Sequence, residues 1–242
     1  MRIDGVYARV IKRMLDIICA LLAIIVFSWL YLIIAVLVAL NIGTPIIFKQ
    51  KRPGRIDPET GKEKIFTLYK FRSMSNARDD EGNLLPDSVR LTKFGRILRA
   101  TSLDELPEAW NILIGDMSVV GPRPWAVSYI PYFTKEERKR HLVRPGLSGW
   151  AQVNGRTAAN WDERLKYDID YVNNISFLMD VKVIFLTVKK SLNIVIGLKL
   201  DSKEIFQLID RNNGMMALFK GMMRRMPNEG FKEKIANIRR ST

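Results

Sequence analysis

Hydrophobic and polar positions divide the chain into three regimes. From Ile17 to Leu40 no residue is charged and nearly all are apolar. As one helix this run would measure roughly 36 Å at ~1.5 Å per residue, enough to cross a bilayer core. It exceeds a usual signal-peptide core, and no small-residue cleavage site follows it. The second regime is mixed. A breaker cluster at Asn41–Pro45 precedes a strand candidate, Ile46-Ile47-Phe48, and Arg52-Pro53-Gly54 reads as a turn. A polar loop at Asp57–Lys64 leads to a second strand candidate, Ile65–Phe71. The acidic, polar stretch Asn76–Asp87 reads as a mobile loop. Helical patterning then predicts helices over Leu91–Arg99, Asp104–Ile114, Tyr132–Leu142, Trp161–Val172 and Phe177–Leu198. The last of these is interrupted by Asp180, Lys182, Lys189 and Lys190, which suits a helix lying in a membrane interface. The third regime, from Phe206 onward, is basic and Met-rich.

Charge sharpens this picture. The 242 residues carry 39 Lys and Arg against 25 Asp and Glu, a net charge of +14. Such an excess points to polyanionic partners: nucleic acid, anionic lipid or phosphorylated substrates. The aromatic residues lie mostly within apolar segments and no nucleic-acid motif is present, so nucleic acid is not the expected partner. The single Cys19 rules out an intrachain disulfide, and the single His141 argues against a His-based metal cluster or a Ser-His-Asp triad. Arg2, Arg9, Lys12 and Arg13 precede the apolar run, and Lys49, Lys51, Arg52 and Arg55 follow it. Equal basic flanks favour neither orientation of a single crossing, and a helix that turns back to the same face satisfies both. Ser28, near the middle, could help a bend by bonding back one turn.

Against this basic background Asp104 and Glu105 stand side by side in Thr101-Ser102-Leu103-Asp104-Glu105-Leu106-Pro107-Glu108. Ser102 to Glu105 spells a capping box, so a helix start is one reading. Pro107 favours Asp104 over Ser102 as the cap, because proline is tolerated in the first turn and not beyond it. The other reading is chemical. A carboxylate pair among arginines suits a metal ion and a phosphate ester, and a carboxylate can attack phosphorus to form an acyl phosphate. Mg²⁺ commonly takes one or two carboxylates plus substrate phosphates. Arg99 and Arg123 are candidate phosphate clamps, with Lys70, Arg72, Arg144, Gln152, Asn154 and Arg156 as candidate nucleotide or sugar contacts. Asp116 reads as a turn residue, with a third acidic ligand as the alternative, and Trp150 and Trp161 as core, with stacking on uracil as the alternative. The glycines at 146, 149 and 155 mark tight turns.

Six blocks occur in order: Lys12-Arg13-Met14-Leu15-Asp16, Tyr69–Met74, Ser102–Pro107, Gly115–Pro124, Arg144–Arg156 and Trp161–Arg164. Together they resemble the bacterial sugar transferases, the monotopic polyprenyl-phosphate phosphoglycosyl transferases, over roughly Lys12 to Thr187. The resemblance implies transfer of a phosphosugar from a UDP-sugar to undecaprenyl phosphate, with UMP released and Mg²⁺ required. It implies that Asp104 is the nucleophile, that Glu105 supports the metal and the chemistry, and that both serve the metal. It also implies that Lys12, Arg13, Asp16 and Ser28 belong to the motif anchoring a re-entrant membrane helix. Members usually break that helix at Ser-Pro, and this chain has Ser28-Trp29, so the bend lacks its strongest cause.

The expected fold is mainly α with short β elements. A re-entrant membrane helix in residues 1–45 would precede a compact catalytic domain in 46–200, with interfacial amphipathic helices, and a basic tail in 201–242. The expected location is the bacterial inner membrane, with the catalytic domain on the cytoplasmic face. The tail suits either contact with membrane lipid or a subunit interface in a homo-oligomer.

Overall fold

The structure, a computed structural model, describes residues 5–155 and 160–198. The tail and Arg156 lie outside the described residues. A π-helical turn, Tyr7–Ile11, runs into helix α1 (Lys12–Val26). Phe27 then leaves helical geometry, with φ −98° and ψ 12°, before α2 (Ser28–Asn41). The two arms are bent by 64°, and among the described residues no single helix is long and apolar enough to cross a membrane. Among the described residues no backbone N–H of Ser28 or Trp29 bonds to the preceding turn, while Leu30 and Tyr31 both bond the Phe27 carbonyl.

The bend therefore forms without proline, and packing on both arms accounts for it. On α1, Lys12, Asp16 and Ala20 recur every four residues and form a buried stripe. On α2, Ile34 and Val38 are buried with Phe71 and Leu98, and the Tyr31 hydroxyl donates to the Leu106 carbonyl. Ile18, Leu22, Ile25, Trp29, Leu32 and Leu40 face outward on the same two helices. That leaves an apolar exterior on a helix pair whose other side belongs to the core.

Strand β1 (Ile47–Ile56) pairs antiparallel with β2 (Glu63–Phe71), placing Phe48 opposite Lys70 and Gln50 opposite Leu68. Arg52-Pro53-Gly54 is thus strand rather than turn. Pro53 is tolerated because its pair with Ile65 is a non-hydrogen-bonded one: in the same register the Arg72 N–H bonds the Ile46 carbonyl, so the odd-numbered positions of β1 give the ladder no donor. The chain reverses instead at Asp57–Lys62. Residues 76–87 are more ordered than their composition implies: the Asp79 carboxylate accepts the N–H groups of Glu81 and Asn83, and Arg78 bridges to Leu84.

Short α3 (Asp87–Arg90) and α4 (Lys93–Ala100) follow, the latter capped by Thr92 Oγ1 accepting from Gly95 N at 2.9 Å. The helix expected over Asp104–Ile114 is split. Leu103–Glu105 is a 3₁₀ turn, and α5 spans only Glu108–Ile114. Strands β3 (Ser118–Val120) and β4 (Gly146–Ser148) pair in parallel. Two 3₁₀ segments, Val127–Tyr132 and Glu137–Leu142, replace the helix expected over Tyr132–Leu142. Pro131 removes a donor from the first, and Thr134 and Glu137 bond each other's backbone and side chain before the second. Helices α6 (Trp150–Gly155), α7 (Trp161–Asn173) and α8 (Phe177–Leu198) complete the described chain. Asn160 and Glu163 form a reciprocal capping box at the start of α7.

Helix α1 is welded into this domain. Lys12 Nζ lies 2.5 Å from Asp180 of α8, which also accepts from Tyr7 at 2.6 Å and Tyr171 at 2.7 Å. Asp16 accepts from the Ser118 hydroxyl and the Val119 N–H, both at 2.9 Å. Arg13 donates to the Ile112 and Leu113 carbonyls, satisfying the exposed end of α5. The anchor residues read from the sequence are thus internal struts between α1, β3, α5 and α8. Ser28 sits at the bend itself.

Candidate functional site

The acidic pair lies on the 3₁₀ turn between α4 and α5. Ser102 is in the left-handed region, φ 57°, and its side chain makes no cap, so the capping box does not form. Asp104 does not cap either, since α5 begins at Glu108 after Pro107. The Asp104 carboxylate is buried, and it has no ion pair or side-chain hydrogen bond among the described residues.

Glu105 differs in every respect. Lys70 Nζ of β2 lies 2.8 Å from its Oε1, and Arg123 donates to the same oxygen. Lys70 also lies 3.0 Å from Oε1 of Glu108, the first residue of α5, which is only 2% exposed. The result is a chain of alternating charge, Arg123–Glu105–Lys70–Glu108, with Asp104 beside it. Arg99, at the end of α4, is fixed by its Nε donating to Ser73 Oγ at 2.8 Å, close enough to act electrostatically on Asp104.

These surroundings separate the two carboxylates chemically. Burial first, then the charge of Glu105, pushes Asp104 up to about 6, against the pull of Lys70, Arg99 and Arg123. Glu105 suffers desolvation as well, but Arg123 and Lys70 outweigh it and hold the group well below the usual carboxylate range. Arg123 is in turn held above its ordinary value, chiefly by Glu105. Burial raises Glu108 to about 7, with Lys70 opposing and Glu105 adding. One carboxylate of the pair is permanently charged and tied. Its neighbour is untied and titrates near neutrality.

The scaffold that aims Arg123 is built around the Gly121-Pro122-Arg123-Pro124 segment. A Cβ on Gly121 would lie 2.5 Å from the Arg144 carbonyl, and one on Gly146 would lie 2.0 Å from Gly121 N, so the β3–β4 crossing excludes any side chain. Arg140 donates to the Arg123 carbonyl at 2.7 Å, and Arg52 to the Pro124 carbonyl at 3.2 Å. Arg140 is itself fixed by Asp168 of α7 at 2.7 Å and lies over the Trp125 ring at 4.6 Å. Trp161 is in the core beside Trp125, Tyr129 and Phe133. His141 is buried 3.1 Å from Glu63, and burial lowers it to about 4.

The structure thus gathers Asp104, Glu105, Lys70, Arg99 and Arg123. The other basic and polar candidates bond elsewhere: Arg72 to the Thr44 carbonyl, Arg144 to that of Gly115, Gln152 to that of Leu147 and Asn154 to that of Trp150. Asp116 forms the turn after α5, 3.6 Å from exposed Lys64. Trp150 is half-buried, its indole N–H donating to Asp170. Arg52, Glu108 and Asn111 were not anticipated. Asn111 bonds both the Thr67 carbonyl and the Tyr69 N–H, clamping α5 to β2 beside Lys70. The available signal for Glu108 was its position four residues after Asp104, within the same acidic block.

Among the described residues no three His, Cys, Asp or Glu side chains converge as a self-sufficient metal site. The donor set suits an ion that draws most of its ligands from substrate and water. Asp104 offers a free carboxylate and Glu105 a neighbouring one, which matches the sparse protein ligation of Mg²⁺ beside phosphates.

Comparison with known proteins identifies the family. The family model described as bacterial sugar transferase matches residues 7–194. An uncharacterized sugar transferase of Bacillus subtilis strain 168, EpsL, is 48% identical over 183 residues, covering 76% of this chain and 88% of that protein. The UDP-N-acetylgalactosamine-undecaprenyl-phosphate N-acetylgalactosaminephosphotransferase of Aeromonas hydrophila is 38% identical, over 74% of this chain and 43% of its own length. The UDP-glucose:undecaprenyl-phosphate glucose-1-phosphate transferase of Klebsiella pneumoniae is 40% identical, over 75% and 40%. The chain thus spans most of the first relative and less than half of the other two.

Proposed function

Because the chain belongs to the bacterial sugar transferase family, a family of phosphoglycosyl transferases, we propose that it moves a phosphosugar from a UDP-sugar to undecaprenyl phosphate. The observation that carries the mechanism is the asymmetry of the pair: Glu105 is bound by two cations, and Asp104 by none among the described residues.

In the first step an Oδ of Asp104 attacks the phosphorus that bears the sugar. The bond from that phosphorus to the UMP oxygen breaks, UMP leaves with the electron pair, and an aspartyl-phosphosugar remains. In the second step an oxygen of undecaprenyl phosphate attacks the same phosphorus and expels the Asp104 carboxylate, giving the polyprenyl-diphosphate-linked sugar. Asp104 needs no base, since a carboxyl titrating near 6 is mostly ionised at cytoplasmic pH. Its partial desolvation also leaves it a better nucleophile than a solvated aspartate. Lys70, Arg99 and Arg123 supply the positive charge without which a carboxylate could not approach a phosphate. Glu105 holds Lys70 and Arg123 in place. Mg²⁺ bound by Asp104, Glu105 and the diphosphate would neutralise the leaving phosphate.

Location follows from the substrates. UDP-sugars are cytoplasmic and polyprenyl phosphates are membrane lipids, so the site belongs on the cytoplasmic face of the bacterial inner membrane. The 64° bend and the basic flanks support a re-entrant helix pair that leaves both ends on that face.

Purified protein incubated with Mg²⁺ and a UDP-sugar radiolabelled in the sugar should become labelled before any lipid is added, and undecaprenyl phosphate should chase the label into lipid. Transfer at the native rate by Asp104→Asn would show the covalent route to be wrong.

A further inference from the structure

An apolar cavity of about 310 Å³ lies between the bent helices and the acidic turn, lined by Ile24, Tyr31, Ile47, Tyr69, Pro107 and Trp110. Ile24 and Tyr31 come from the two arms on either side of the bend, Ile47 and Tyr69 from β1 and β2, and Pro107 and Trp110 from the start of α5. Three of its lining residues are tied to the site through the backbone. Tyr69 precedes Lys70, Pro107 follows Glu105 by two residues, and the Tyr31 hydroxyl donates to the Leu106 carbonyl between them. The outer wall, Trp110, is 54% exposed, and the outward faces of α1 and α2 beyond it are apolar. A large half-exposed tryptophan at a cavity mouth is poor core packing and well suited to meet lipid.

We propose that this cavity holds the phosphate-proximal isoprenes of the lipid acceptor and so sets the angle at which its phosphate meets the site; the assignment rests on the transfer proposed above. Charge separates the two ends of the path. The cavity wall is almost wholly apolar, whereas Glu105, two residues before Pro107 of that wall, is held by Lys70 and Arg123. A ligand with a hydrocarbon chain and a terminal phosphate matches that order, and a nucleotide does not. The occupant reaches the cavity along the helix pair without leaving the bilayer, and its phosphate reaches Asp104 without dragging hydrocarbon through water.

The test uses full-length protein in nanodiscs, wild type against Trp110→Ala and Ile24→Asn. Both variants should keep acceptor-independent covalent labelling by UDP-sugar, while KM for undecaprenyl phosphate rises about tenfold or more, the scale on which a hydrophobic pocket discriminates a small change in apolar fit. An unchanged KM in both variants, or loss of labelling in both with folding intact by circular dichroism, would overturn the assignment. A benzophenone-bearing prenyl phosphate supplies a readout independent of the covalent mechanism. It should crosslink to peptides containing Trp110 or Ile24 and be competed by undecaprenyl phosphate but not by inorganic phosphate. Equal crosslinking by a benzophenone-bearing phospholipid would show that the cavity takes any acyl chain, and would equally refute a dedicated acceptor site. If wild-type protein never labels with UDP-sugar yet crosslinks as described, the covalent mechanism fails and the lipid site stands.

Discussion

Replacing Asp104 with asparagine should make the protein inactive and more stable at once. The carboxyl is buried, and its rise from 3.8 to about 6 measures how much folding disfavours its charged form. At about 1.4 kcal/mol per unit, that amounts to about 3 kcal/mol of instability whenever the group is ionised. The sign follows from proton binding. The folded state holds its proton more tightly than the unfolded chain, so this destabilisation is absent below pH 3.8 and fully developed above about pH 6. Asparagine has the same shape without the charge. At pH 8 Asp104→Asn should therefore melt above wild type by about 6–12 °C, at roughly 2–4 °C per kcal/mol for a chain of this size. The gap should close as pH falls toward 4. Thermal melts of detergent-solubilised protein from pH 4 to 8, followed by circular dichroism, measure both curves. A variant that melts at or below wild type at pH 8 would refute the idea that burial rather than cation pairing governs this carboxyl. A gap independent of pH would refute the assigned titration.

Other expectations follow from the same geometry. Covalent labelling should lose about tenfold per pH unit below pH 6, because only ionised Asp104 attacks phosphorus; an initial rate flat from pH 5 to 8 would contradict this. Lys70→Met leaves Glu105 with Arg123 alone and strips Glu108 of its cation, so kcat should fall by about 10²–10³ in a UMP-release assay. Asp180→Asn weakens the seat of Lys12 and two tyrosine hydroxyls, and should cost about 3 kcal/mol or more, read as a lower melting temperature and faster proteolysis. Cysteines placed at Arg9 and Lys51 should both resist an impermeant thiol reagent on intact spheroplasts and both react in inverted vesicles. Labelling of either from outside would establish a spanning helix.

Long periodic elements were legible in the sequence, and strained or tertiary ones were not. Helix α8 runs over the Phe177–Leu198 span that its pattern predicts, and α7 extends its predicted span by one residue to Asn173. The strand through Arg52-Pro53-Gly54 was hidden because the proline falls at a position that gives the ladder no donor, which only the pairing register reveals. Leu103–Glu105 reads as the start of an α-helix, yet Ser102 adopts a positive φ that its side chain does nothing to announce. The charged residues Lys70, Arg99 and Arg123 could be named from the sequence, but their division of labour could not. That Glu105 is tied and Asp104 free depends on where β2 and the Gly121–Pro124 segment place their cations. Arg52 and Asn111 were invisible because their roles consist of bonds to backbone groups distant in sequence.

The buried stripe on α1 also bears on how such a protein can be handled and altered. Asp180, Ser118, the Val119 N–H and the carbonyl end of α5 take polar partners from Lys12, Asp16 and Arg13, and Met117 and Phe66 pack against Ala20. Cutting the chain after the apolar run would not release a water-soluble enzyme. It would take Lys12 and Tyr7 from Asp180, Asp16 from the Val119 N–H and Arg13 from a helix end in the middle of the domain, beside a slot where a helix had been. The segment proposed to hold the protein to the lipid is therefore also a keystone of the catalytic half. On the proposed location, insertion into the membrane and completion of the fold become a single event, and a copy that misses the bilayer should be cleared as an unfolded chain rather than persist as a stray soluble protein.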